Sequence, residues 1–199
     1  MTDEEIAIRK PVWVAMSDLF LDTDVRLSYC SIARILAVAP FTIEQMGAIL
    51  HKEVSPIAAP NLMVVAGEWA GFDEEWLVSR ISARLDGALR MPWFGSVARA
   101  DWDAVVVLIT RLRRLAEVDR PRQLALWDQL LKLFLDRVPL SPPTCPDGWS
   151  NEELEAVWRE EMWPSYGRSV ELYRKHNSSG YPSKDEIERA WTQWKNAVS

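Results

Sequence analysis

An all-α fold is predicted by three features of the chain. Apolar residues recur at helical spacing along nearly its whole length, and no run of strict apolar–polar alternation bounded by turn residues stands out. Helix-start signals of the Ser/Thr-x-x-Glu/Gln type precede several of the apolar runs. The expectation is a compact multi-helix bundle of about eight helices. It forms one domain over residues 1–199, with sub-halves 1–92 and 93–199 as the alternative division.

The first helix is placed near Pro11, because a first-turn proline lacks only an N–H that has no intrahelical acceptor; Trp13, Met16 and Phe20 then share one face. Asp22-Thr23-Asp24 interrupts the chain, and a second helix is expected from Val25 to Val38, ended by Pro40. Thr42 and Gln45 pair as a capping box for a helix through Met46, Ile49 and Leu50, which Ser55-Pro56 closes. A short helix over 60–66 leads to a turn at 67–71. Asp73 then caps a helix carrying Trp76, Leu77, Ile81 and Leu85, with Glu74 and Glu75 at the positive end of its dipole.

Met91-Pro92-Trp93-Phe94-Gly95 is the clearest mid-chain break. Beyond it Asp101 is expected to cap a helix running from Trp102 to Glu117, and another follows from Pro121 to Val138 with Leu124, Trp127, Leu131 and Phe134 inward. The prolines between Pro139 and Trp149 read as a semi-rigid connector. Ser150 with Glu153 opens a helix bearing Leu154, Val157, Trp158 and Met162; a further segment spans Pro164 to His176; Asn177 to Gly180 is a turn; and Ser183 with Glu186 opens a terminal helix with Ile187, Trp191 and Trp194.

Composition narrows the function classes. With 48% hydrophobic and 26% charged residues, the chain has the balance of an ordinary folded domain. Its two cysteines, Cys30 in an apolar stretch and Cys145 in a proline-rich loop, make no disulfide framework, which favours a reducing cytoplasm. The acidic start at Asp3, Glu4 and Glu5 is unlike a signal peptide, and no apolar run is long enough to span a membrane. A net charge of −6 disfavours nucleic acid as a partner; it suits a basic protein, or serves solubility alone.

Familiar chemistry is not found. A carboxylate-bridged metal site in a bundle uses Glu-x-x-His, yet Ala48 precedes His51 by three positions and Tyr173 precedes His176. The chain lacks His-Glu-x-x-His, Cys-x-x-Cys, a calcium loop, Gly-x-Ser-x-Gly and a glycine-rich phosphate cradle. No metal, cofactor or catalytic residue is therefore assigned.

What stands out is the load of eleven tryptophans, each supplying a large apolar area and one N–H in need of a partner. Trp13, Trp76, Trp102, Trp127, Trp191 and Trp194 fall on apolar helical stripes and are expected in the core. Trp69, Trp93, Trp149 and Trp163 fall at turns or helix ends; with Trp158, beside an acidic run, they mark where a binding surface is sought.

Two segments are the candidate partner-binding faces. In the first, Glu68, Trp69, Asp73, Glu74 and Glu75 surround aromatics that either grip a basic partner or are buried in an interhelical turn whose acids cap a helix. In the second, Glu152, Glu155, Trp158, Glu161 and Trp163 form an acidic helix with aromatic anchors. Its charges either dock a partner, face water, or pair with the arginine run Arg111, Arg113, Arg114, Arg120 and Arg122. That run is also weighed as an RNA site and set aside on overall charge.

The phrases Pro11-Val12-Trp13, Ser17-Asp18-Leu19-Phe20-Leu21-Asp22-Thr23, Pro60-Asn61-Leu62 and Gly67-Glu68-Trp69-Ala70-Gly71-Phe72 resemble a bacterial all-helical family known by a domain-of-unknown-function label. The resemblance covers residues 8 to 85 and brings no catalytic residues. By analogy with small acidic families that include immunity proteins, it implies a partner that is a toxin.

The sequence reading is thus a non-catalytic binding protein, an immunity protein that occludes a basic secreted toxin such as a nuclease effector. The alternatives are an enzyme using carboxylates near Glu68 or Glu160, and an adaptor that joins copies of itself.

Overall fold

A computed structural model describes residues 1–63, 67–68, 70–88, 98–134, 149–167, 170 and 182–198. Among them there is no strand, and the all-α expectation holds. The chain divides into two compact units, 1–102 and 103–199. Trp69, Trp93, the break at 91–95, most of the connector at 139–149, Cys145, His176 and the turn at 177–180 lie outside the described residues.

In the first unit α1 (Asp3–Ser17) begins upstream of the predicted start. Thr2 and Glu5 form a reciprocal capping box, and Asp3, Glu4 and Glu5 sit at the positive end of the dipole, so the helix nucleates there and carries Pro11 in its interior. Pro11 is tolerated because both it and Ala7, whose carbonyl loses its helical donor, are on the exposed side. The inner face of α1 buries Val12, Trp13, Ala15 and Met16, packing on α2 (Tyr29–Ala37) and α5 (Glu74–Leu85). The Trp13 indole N–H donates to the Glu53 carboxylate at 2.7 Å, which satisfies its polar edge.

The Thr42–Gln45 capping box opens α3 (Ile43–Ile49) as expected. Ser55-Pro56 does not stop the chain there. A π-turn over Leu50–Val54 absorbs the proline, and α4 (Ser55–Ala58) continues beyond it. Arg26 is buried, with its guanidinium bidentate on Asp24 at 2.8 and 2.6 Å. Asp101 does not cap α6 (Arg99–Arg114), which begins two residues earlier; its carboxylate accepts the Tyr29 hydroxyl instead, tying the first turn of α6 to α2.

The second unit is built on the rest of α6, α7 (Arg120–Phe134), α8 (Asn151–Val157) and α9 (Lys184–Val198). Both predicted capping boxes, Ser150 with Glu153 and Ser183 with Glu186, are formed. Without a break α8 widens into a π-helix over Trp158–Gly167 that contains Pro164. Trp158 stacks on Trp191 with centroids 4.6 Å apart, and Phe134 lies 4.9 Å from Trp158 and 5.6 Å from Tyr166. Gly167 is dictated by this packing: a Cβ there would lie 2.8 Å from the Trp163 ring.

Candidate functional site

The two candidate faces have opposite fates. In the second, Trp158 is fully buried and Glu161 nearly so. Leu154, Val157, Trp158 and Glu161 are spaced three and four apart, so they share the stripe that faces the core of their unit. Glu161 accepts the Trp127 indole N–H at 2.7 Å and the Gln123 amide at 2.5 Å, and it pairs with Arg111 Nε at 2.8 Å. Burial pushes its carboxyl above the usual range, while Trp127 and Arg111 pull the other way.

The remaining members of that face are also occupied. Glu155 is held by Lys195 at 2.7 Å and Arg159 at 3.0 Å, which lower its pKa against a smaller desolvation effect, and Arg159 reaches on to Glu188 at 2.7 Å. Trp163 is half-buried against Gly167, with Lys184 Nζ 5.4 Å from its ring centre. Only Glu152 stays exposed without a role in this packing. Of the face expected to receive a partner, Trp158 and Glu161 are therefore interior and Glu155 sits in an ion-pair network, while Trp163 is half-buried and Glu152 exposed.

Three of the arginines in the run are engaged within their own unit, although Arg114 and Arg122 stay exposed. Arg111 pairs with Glu161, Arg120 donates to the Leu112 carbonyl at 3.1 Å, and the Arg122 guanidinium lies 4.0 Å above the Trp149 ring. Pairing between the acidic and basic segments, one of the sequence expectations, is seen in Arg111 and Glu161.

The first face remains open. Asn61 fixes its start, accepting the Glu68 N–H and donating to the Glu68 carbonyl, so the exposed Glu68 sits on an anchored backbone. Asp73 caps α5 by accepting the Trp76 N–H at 2.7 Å. From that cap the helix buries Leu77 and Ile81 against α1 and α4. Trp76, one residue and about 100° away from Leu77, is turned outward. It is 42% exposed, which corrects the expectation that it is core.

Trp76 is nonetheless held in place. Phe72, just before the cap, stacks with it at 6.1 Å and 9° from parallel, and the Arg80 guanidinium lies 5.8 Å from its centre one turn further along the outer side of α5. Around it Asp73 and Glu75 are exposed, and Glu74 forms an ion pair with Lys10 of α1. The signal that places Trp76 outside is in the sequence: Leu77 and Ile81 form one i, i+4 pair, Trp76 and Arg80 another, and only the first can face a core.

Among the described residues no three His, Cys, Asp or Glu side chains cluster as metal ligands, and no helix is long and apolar enough to cross a membrane. An open depression of about 540 Å³ runs along α9, lined by Asp185, Glu188, Arg189, Thr192 and Gln193. Besides Glu161, burial raises the carboxyls of Asp18 and of Asp101, the latter opposed by its bond from Tyr29.

A family model described as a domain of unknown function, DUF7079, matches residues 7–111, which takes in the whole of the open face. No curated protein and no solved structure matches the chain.

Proposed function

We propose that this chain, which belongs to the family defined by that domain of unknown function, is a non-catalytic protein-binding protein acting as a bacterial immunity protein. Its partner is a basic toxin, neutralised by occlusion. The observation that carries this reading is Trp76, a large aromatic side chain left 42% exposed yet braced by Phe72 and Arg80. An indole already ordered in the free protein loses little rotamer freedom on binding, and tryptophan is prominent among residues that dominate interfaces.

Charge supports the same reading. Glu68, Asp73 and Glu75 are exposed on the segment that leads into Trp76, and the chain carries −6 overall, so a cationic surface is attracted over distance before the aromatic contact forms. The test is co-expression with the product of the adjacent gene. The two proteins are expected to co-purify and the chain to restore growth of cells making that product. A neighbour that neither binds nor harms the cell overturns the reading.

A further inference from the structure

Asn61 does more than fix the start of the open face. It lies in the short turn Ala59–Met63, and its side-chain amide makes three bonds: it donates to the Phe20 carbonyl at 2.9 Å and the Glu68 carbonyl at 2.8 Å, and accepts the Glu68 N–H at 2.6 Å. The Asp22 N–H adds a bond of 2.9 Å to the same Glu68 carbonyl. Residues 61 and 68 are thereby tied to each other and, through Phe20 and Asp22, to the turn that follows α1. The approach is close enough to exclude a side chain at Gly67, where a Cβ would lie 2.7 Å from the Asn61 carbonyl oxygen.

Directly after this tie the chain displays two adjacent apolar side chains, Leu62 at 43% and Met63 at 65% exposure. A lone exposed apolar residue is ordinary. Here two stand in succession in the short turn Ala59–Met63, directly after a residue whose side-chain amide pins the chain, so binding has less backbone freedom left to freeze. Methionine also adapts its shape to a partner surface. Glu68, on the other side of the tie, is exposed and begins the segment that ends in Trp76.

We infer that Leu62 and Met63 form a second, apolar contact for the basic partner, set in place by Asn61 as a positioning residue. This rests on the reading of the Trp76 face as the partner-binding surface. The complementary surface is an apolar patch bordered by lysine or arginine, which meets Glu68 on one side of the tie while Leu62 and Met63 fill the patch.

The test is the dissociation constant of the full-length chain for the purified product of the adjacent gene, at low and at moderate salt. The double variant Leu62→Ser/Met63→Ser alters exposed positions and is expected to bind about tenfold more weakly with an unchanged salt slope, because it removes no charge. Glu68→Gln is expected to flatten the slope. Asn61→Ala should match the double variant; Gly67→Ala, which displaces Asn61 without deleting it, supplies the same test if Asn61→Ala does not fold. If the double variant binds like the wild type while Trp76→Ala binds weakly, this inference is overturned and the Trp76 face stands. If a complex forms that neither change weakens, both are overturned. Affinity unaffected by Asn61→Ala and Gly67→Ala, with a weakened double variant, overturns the positioning role.

Discussion

Trp158 and Trp191 lie face to face, 5° from parallel, so a residue that the sequence places beside an acidic run is the centre of its unit's packing. Trp158→Ala is expected to cost about 3–5 kcal/mol, the range for emptying an aromatic core position. Trp76→Ala, at an exposed position, should cost less than about 1 kcal/mol. Urea unfolding of the two variants checks the contrast, and equal losses would contradict it.

Glu161 ties α6 and α7 to the π-helix through Arg111, Gln123 and Trp127. Glu161→Ala leaves the Trp127 and Gln123 donors unpaired in the interior, with an expected loss of about 2–3 kcal/mol. Glu161→Gln keeps an acceptor and should lose less. The order of the two urea midpoints decides this, and an alanine variant as stable as the glutamine one would refute the role.

The same carboxyl makes stability depend on pH. Burial holds its folded value above the ordinary 4.5, so the folded chain binds this proton more tightly than the unfolded chain. The associated stabilisation is fully present below 4.5 and is lost as pH rises through the raised folded value. The wild type should therefore gain stability relative to Glu161→Gln as pH is lowered toward 4.5. A difference in urea midpoint that is flat, or that grows toward neutral pH, would contradict this.

Asp73 serves the fold and the proposed surface at once, and the two roles separate by substitution. Asp73→Ala loses the α5 cap and should cost about 1 kcal/mol. Asp73→Asn retains the cap and removes only the charge, leaving stability nearly unchanged. Thermal unfolding of both variants is the check, with equal losses counting against the cap.

Local chemistry carried most of the fold into the sequence. Thr42, Asp73, Ser150 and Ser183 act through bonds within three residues, and each cap was legible. Thr2 with Glu5 has the same form, but the pattern before Pro11 held too few apolar residues to signal a helix, and the proline drew its start downstream. Nothing local marks a π-turn, so the passages through Pro56 and Pro164 have no signature in the sequence.

The candidate site was half legible for a different reason. Charge and aromatic content are visible in a sequence, whereas the choice between an inward and an outward stripe depends on which neighbours pack. Trp76 with Arg80 is marked as the outward stripe by the apolar pair Leu77 and Ile81 on the other side of the helix, whereas Leu154 through Glu161 needs its tertiary partners, Trp127 and Arg111, to decide it.

The central claim is that Trp76 meets the partner. It is tested most directly by fluorine NMR of the chain labelled with 5-fluorotryptophan, with the Trp76 and Trp158 signals assigned through Trp76→Phe and Trp158→Phe. On addition of the product of the adjacent gene, the Trp76 signal is expected to shift while that of the buried Trp158 keeps its position. A complex that forms and leaves the Trp76 signal where it was would contradict the account.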